Sequence, residues 1–237
     1  MSRNDVVKSW PSKARDLKSF ARAALEWGLP IAPELLERLG EYAAFVAAYE
    51  RANLTAERSP GAVLLKHVAD GAAGAACLKR EFISFSAPEV LDLGAGAGFL
   101  GIALKILWPE ARVTLLEPLK RRFDFLNLAI LRLGLAGTRL VQKPARPKAE
   151  PSTVVYDAVL AKAVLPLPEL LPLAIPLLRR GGLFAAFQSA PPDSAAPLLR
   201  RTLEKSSARL VKSWSYRRPL EEKERAVALF GRRNPAL

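Results

Sequence analysis

The chain has 237 residues, half of them apolar, which is enough for one substantial core, and it carries 36 Lys and Arg against 23 acidic residues, a net charge of +13. That balance favours a polyanionic partner through phosphate contacts and counterion release, and on charge alone RNA, DNA and an anionic membrane all stay open. One cysteine, Cys77, excludes an intramolecular disulfide, and with a single histidine no plausible His/Cys metal cluster can form.

Residues 1–20 lack the unbroken apolar stretch of a signal peptide, and no later run reaches about 18 uncharged apolar residues, so a soluble cytoplasmic protein is expected. From Lys13 to about Glu50 apolar residues recur at helical spacing (Leu17, Phe20, Ala24; Leu39, Tyr42, Val46), and Gly28 and Pro30 divide the stretch into two amphipathic helices. A polar break at Asn53 to Pro60 precedes a third helical stretch, about Gly61 to Lys79, whose small residues permit close packing and whose Gly71 and Gly74 weaken its regularity.

From Glu89 strand and helix alternate. The apolar run Val90 to Leu93 enters a glycine-rich turn, a helix follows to Leu107, then a strand at Val113 to Leu116 and a helix through Leu133. Further strands fit Arg139 to Gln142, Val155 to Leu160, Leu183 to Phe187, Leu210 to Trp214 and Ala226 to Phe230, with a helix across Leu167 to Arg179 ended by Gly181 and Gly182. This alternation predicts about seven strands in a largely parallel sheet. The stretch Gln142 to Thr153, rich in proline and lysine, reads as an eroded crossover or a loop.

The run V-L-D-L-G-A-G-A-G-F-L-G, residues 90–101, carries the chemistry. Gly94, Gly96 and Gly98 permit backbone angles and a close ligand approach that side chains forbid. Gly96, Gly98 and Gly101 also satisfy the dinucleotide fingerprint, and Glu117 stands at the end of the next strand with acceptors for both hydroxyls of a ribose. That pairing marks an adenosyl site without naming the ligand. Asp92, just before the first glycine, suits a cationic amino-acid moiety and would repel a pyrophosphate, so S-adenosylmethionine is preferred over a nicotinamide cofactor.

Four more segments join this loop: the box N-L-T-A (Asn53 to Ala56), K-H-V-A-D (Lys66 to Asp70), E-P-L-K-R-R-F-D-F-L (Glu117 to Leu126) and A-K-A-V-L-P-L (Ala161 to Leu167). In this order, over roughly residues 33–190, they resemble the RsmG family, also called GidB, bacterial enzymes that methylate N7 of a guanine in small-subunit (16S) ribosomal RNA. The resemblance implies that Gly94, Ala95, Gly96, Phe99 and Glu117, with Asp92 and Gly98, line the cofactor site, and that Asn53, His67 and Asp70 belong to the cleft wall. It implies that Lys162 stands where the family carries an arginine near the reacting centre, although lysine cannot reproduce the two-pronged guanidinium. Leu100 replaces the family's usual proline, Gly71 a serine, and Pro144-Ala145-Arg146 an R-x-E segment that helps surround the adenine, which places Ala145 at the cofactor.

The fold expected is therefore α/β: a Rossmann-like class I methyltransferase core over residues 89–237, helices on both faces, with residues 1–88 as a helical extension packed on it. Lys162, His67 and Asp70 are the candidate catalytic residues, a partnership of His67 with Asp70 along the helix being expected rather than proton transfer. Lys120, Arg121, Arg122 and Lys162 are the candidate RNA contacts. From Arg200 onward 11 Lys or Arg face four glutamates, with Trp214 and Tyr216 among Lys212, Arg217 and Arg218, either an RNA-facing surface or edge strands protected by charge. The expected partner is small-subunit ribosomal RNA or the 30S subunit, with no membrane and no metal, and the protein working as a monomer. A nonenzymatic RNA-binding module and a methyltransferase for another acceptor are the alternatives.

Overall fold

The computed structural model describes residues 10, 12–82, 86–144 and 155–233. Helices α1 (Lys13–Glu26) and α2 (Pro33–Ala47) are separated by a turn in which Gly28 takes φ +71°, and Pro33 occupies the first turn of α2, where its missing N–H costs nothing. Their apolar stripes bury Leu17, Phe20 and Ala24 on one helix and Leu39, Tyr42 and Val46 on the other. The third helical stretch starts as α3 (Pro60–Val63), capped by the Ser59 hydroxyl accepting the Ala62 N–H at 3.2 Å, and continues as α4 (Ala69–Glu81).

Between α3 and α4 lies a π-helical turn, Leu64–Val68, so the irregularity sits at His67 and not at the two glycines. Gly71 and Gly74 are contact points instead. A Cβ at Gly71 would collide with the Phe99 carbonyl oxygen, and one at Gly74 would come within 2.7 Å of the Phe187 ring.

The strands are β1 (Glu89–Leu93), β2 (Arg112–Leu116), β3 (Thr138–Val141), β4 (Tyr156–Lys162), β5 (Leu178–Gln188), β6 (Ala208–Arg217) and β7 (Glu224–Arg232). They form one seven-stranded sheet in the order β3-β2-β1-β4-β5-β7-β6, parallel except for β7, which runs antiparallel to both its neighbours. Helices α5 (Gly101–Leu107) and α6 (Lys120–Leu133) pack with α1 to α4 in one apolar core on one face. On the other face α7 (Leu167–Ala174) and α8 (Pro197–Lys205) pack against β1, β4 and β5.

The helix expected to run to Arg179 stops at Ala174, passes through a 3₁₀ turn (Ile175–Leu177) and gives way to β5 at Leu178. Pro176 has no N–H to continue the helix. Gly181 and Gly182 then lie inside β5, at a bulge where Tyr156 pairs with Leu178 while Ala158 already pairs with Leu183. Helix α8 was not anticipated, because it buries only Leu199 and Leu203, too few positions to set a period. Ala145 and Arg146, and with them most of the proline-rich stretch, lie outside the described residues. No described helix is long and apolar enough to cross a membrane.

Candidate active site

The sheet order diverges from β1 towards β2 on one side and β4 on the other, the switch point at which open α/β sheets bind ligands beyond the carboxyl ends of their strands. All the glycine-loop residues gather there. Gly94, Gly96 and Gly98 have φ of +73°, +60° and +82°. Gly96 matters most: a Cβ there would meet only the Gly94 carbonyl oxygen at 4.0 Å, so its open side is free for a ligand to approach the backbone.

Two buried carboxylates hold this loop. Glu117, directly after β2, is 2 % exposed and accepts the Gly96 N–H on Oε2 and the Leu119 N–H on Oε1, both at 2.8 Å. Its oxygens keep further lone pairs for ribose hydroxyls, so the carboxylate both shapes the loop and is oriented by it. Asp92, also 2 % exposed, accepts the Gly101 N–H at 2.8 Å and so caps the start of α5. Burial, with the nearby Glu117 charge, pushes the Asp92 carboxyl up to about 7 against the opposing Gly101 hydrogen bond and Lys162 charge. Under the loop the fully buried Tyr42 donates its hydroxyl to the Ala97 carbonyl at 2.7 Å, a support from α2 that the sequence did not announce.

Asp92, Gly94, Ala95, Gly96 and Phe99 line a cleft of about 220 Å³. Opposite the loop stand Leu54, His67 and, at the end of β4, Lys162. The Lys162 ammonium lies 2.5 Å from Asp70 Oδ2, 3.5 Å from His67 Nδ1 and 5.8 Å from the centre of the Phe99 ring. His67 stacks on Phe99 at 4.6 Å, and its Nε2 meets the Thr55 hydroxyl at 2.8 Å. Burial first, then the Lys162 and Arg218 charges, lower the imidazole to about 4 against the pull of Asp70 and Glu57, so it is neutral at physiological pH. With an ammonium facing Nδ1, the network assigns the proton to Nε2, donated to Thr55.

Asp70 is 1 % exposed and does not hydrogen-bond His67 as expected. The π turn ends between them, and the carboxylate instead receives Lys162, the Tyr216 hydroxyl at 2.7 Å, and Arg218 through Nε at 2.7 Å and Nη2 at 2.6 Å. Burial raises the carboxyl, but the Arg218 hydrogen bonds and the Lys162 charge outweigh it and leave Asp70 below its ordinary value. Tyr216 and Arg218 are thus no RNA-facing surface: they are 4 % and 9 % exposed and turned inward, Tyr216 edge-on to Trp27.

The family model of the rRNA small subunit methyltransferase G (GidB) matches residues 35–220. The chain belongs to this family. It is 43 % identical over 180 residues to the ribosomal RNA small subunit methyltransferase G of Rubrobacter xylanophilus, covering 74 % of this chain and 67 % of that one. It is 33 % identical over 219 residues to the protein of the same name from Halalkalibacterium halodurans, covering 91 % and 90 % of the two chains. Among solved structures, a ribosomal protein L11 methylase from Lactobacillus delbrueckii subsp. bulgaricus superposes with TM-score 0.52 at 15 % identity over 70 % of this chain and 80 % of its own. TrmN from Thermus thermophilus does so with TM-score 0.51 at 22 % identity over 71 % and 53 %. These two establish the class I methyltransferase fold alone.

Membership makes the protein S-adenosylmethionine-dependent and sets the nicotinamide alternative aside. The cleft residues fit that cofactor: open space over Gly96, the Glu117 carboxylate held against the Gly96 N–H as an acceptor suited to a ribose, and the Asp92 carboxylate in the cleft wall, which would repel a pyrophosphate. Of the family motifs, Asn53 is exposed and outside the cleft lining, while its neighbours Leu54 and Thr55 reach the cleft and His67. The basic triplet on α6 diverges. Arg122 lines the cleft, Arg121 turns outward beside Tyr49 and Arg51, and Lys120 pairs with Asp124.

Proposed function

We propose that the protein methylates N7 of a guanine in 16S ribosomal RNA, working as a monomer in the cytoplasm on the RNA or the 30S subunit. The observation that carries this reading is a cleft with a cation and, among the described residues, no free base on its substrate side. His67 is neutral, with the Lys162 ammonium on one nitrogen and Thr55 on the other, and Asp70 is saturated by Lys162, Tyr216 and Arg218. Guanine N7 offers an in-plane lone pair and has no proton to lose, so it is the acceptor such a site suits. When bound, S-adenosylmethionine supplies the electrophilic methyl for an in-line displacement, and alignment in the cleft provides roughly 7–11 kcal/mol of the acceleration.

In this reading Gly96, Glu117 and Asp92 hold the cofactor, and Lys162 donates to guanine O6. Arg122 contacts RNA at the cleft mouth, and Arg121 and Lys120 extend the basic surface outward along α6. The test is transfer of labelled methyl from S-adenosylmethionine to 30S subunits and free 16S RNA from cells lacking the enzyme, with mass-spectrometric mapping of the product. Label at guanine N7 is expected; label at another atom or base overturns the assignment. Lys162→Ala is expected to slow transfer more than it weakens cofactor binding.

A further inference from the structure

Arg218 comes from the connection after β6, 148 positions along the chain from Asp70, yet it is the side chain that fixes Asp70 most firmly. Its Nε and Nη2 take one carboxylate oxygen each, a two-point grip that sets both position and plane of the acceptor. The Tyr216 hydroxyl adds to Oδ1, and Glu221 lies 3.5 Å behind Arg218 Nη1. Lys162 therefore meets a carboxylate that is already fixed. The grip is of the kind an arginine at position 162 would make; here residue 162 is lysine, and the guanidinium arrives from residue 218.

Charge leads to the same place. Asp70 is ion-paired to two cations, Lys162 and Arg218, and Arg218 shares Glu221 with Arg225, so three cations meet two carboxylates and the network keeps a net positive charge. Of the two cations on Asp70, Lys162 lines the cleft and Arg218 does not.

We propose that Arg218 is a positioning residue for methyl transfer: by gripping Asp70 from behind it fixes where the Lys162 ammonium stands and leaves that charge uncancelled towards the RNA. The inference rests on the reading above in which Lys162 faces the substrate. A merely structural Arg218 would fasten the β6–β7 connection to α4 and do nothing more.

The test uses the full chain with Arg218→Met, Arg218→Lys and Lys162→Met, each checked for folding by thermal melting. Three quantities are read: affinity for S-adenosylhomocysteine, single-turnover methyl transfer to unmethylated 30S subunits, and titration of the Lys162 side chain by NMR of ¹³Cε-labelled lysine, assigned through Lys162→Met. Lys162 faces Asp70 on α4, His67 in the π turn, Arg218 after β6, Arg225 on β7 and Asp92 on β1. Burial, Arg218 and Arg225 hold its ammonium below the ordinary lysine range against Asp70. Removing Arg218 alone subtracts a cation, so the Lys162 titration is expected to move to higher pH. Transfer should fall by about tenfold or more in Arg218→Met, with cofactor affinity within about twofold.

Arg218→Lys keeps the charge and loses the fork, and is expected to be several-fold slower with the Lys162 titration close to that of the unaltered protein. A folded Arg218→Met that transfers methyl at an undiminished rate overturns the proposal even if the Lys162 titration moves, and so does one in which that titration is unmoved. If Arg218→Met does not fold, an undiminished rate in Arg218→Lys overturns it instead. If Lys162→Met itself transfers methyl at full rate, the failure lies in the substrate-facing role of Lys162 and not in the grip of Arg218.

Discussion

Glu117→Gln keeps the shape of the side chain and alters only its charge and one acceptor. In the folded protein both carboxylate oxygens already receive backbone N–H groups, from Gly96 and from Leu119, each at 2.8 Å. Glutamine can offer its carbonyl oxygen to one of these donors and must then aim its NH₂ at the other. One charge-assisted hydrogen bond becomes neutral and one buried donor loses its partner, a combined loss of about 2–4 kcal/mol. For a domain of this size that lowers the melting temperature by about 5–15 °C. Cofactor affinity falls as well, because the ribose loses an ionised acceptor and the loop at Gly96 loses its anchor; about 10- to 100-fold is expected. Calorimetric melting and isothermal titration with S-adenosylmethionine read the two quantities separately. An unchanged melting temperature would refute the anchoring of the loop, and an affinity within twofold of the parent would place the ribose elsewhere.

Gly71→Ala is expected to destabilise by about 1–3 kcal/mol in urea, since the new methyl meets the Phe99 carbonyl, backbone that cannot step aside. An unmoved urea midpoint would show that α4 and α5 have room to part. Tyr42→Phe removes the buried hydroxyl donated to Ala97, costing about 1 kcal/mol and loosening the glycine loop, so both midpoint and cofactor affinity should drop; a loss confined to stability would show that the loop keeps its shape without it. A cationic cofactor favours ionised Asp92, whose carboxyl sits at about 7, so affinity should be full above that pH and decline below it. The expected weakening is close to tenfold between pH 7.5 and pH 6, and Asp92→Asn should abolish the dependence; a flat profile in the parent protein would remove Asp92 from the cofactor's electrostatics.

What the sequence disclosed was local. Alternating strand and helix from Glu89, a glycine-rich turn and an acidic residue at the next strand end are patterns of neighbouring residues, and every strand they mark forms, as do the two helices that end at Leu107 and Leu133. The errors arose where one local rule competed with another. Leu167 to Arg179 has helical spacing throughout, but Pro176 ends the helix early and β5 claims the glycines that looked like its stop signal. Gly71 and Gly74 looked like weaknesses in a helix because their use is tertiary: each makes room for an atom far along the chain, the Phe99 carbonyl and the Phe187 ring.

The same distinction divides the site. The half proposed for the cofactor is built from residues 92–101 and Glu117, and is held by backbone N–H groups pointing at two carboxylates, so a motif suffices to find it. The half proposed for the substrate is only partly marked: motifs carry Asp70 and Lys162, but Tyr216 and Arg218, which complete the network from the hairpin at the sheet edge, belong to none and are joined to them only by charge and hydrogen bonds. Read along the chain, Tyr216 and Arg218 look like solvated decoration on an edge strand; only the antiparallel return of β7 against β5 and β6 carries them back under α4. The two halves should therefore respond differently to mutation. Changes around the glycine loop alter cofactor affinity and transfer together, whereas changes at the β6–β7 connection reach the reaction only through Asp70 and Lys162, and should slow transfer while leaving the cofactor bound.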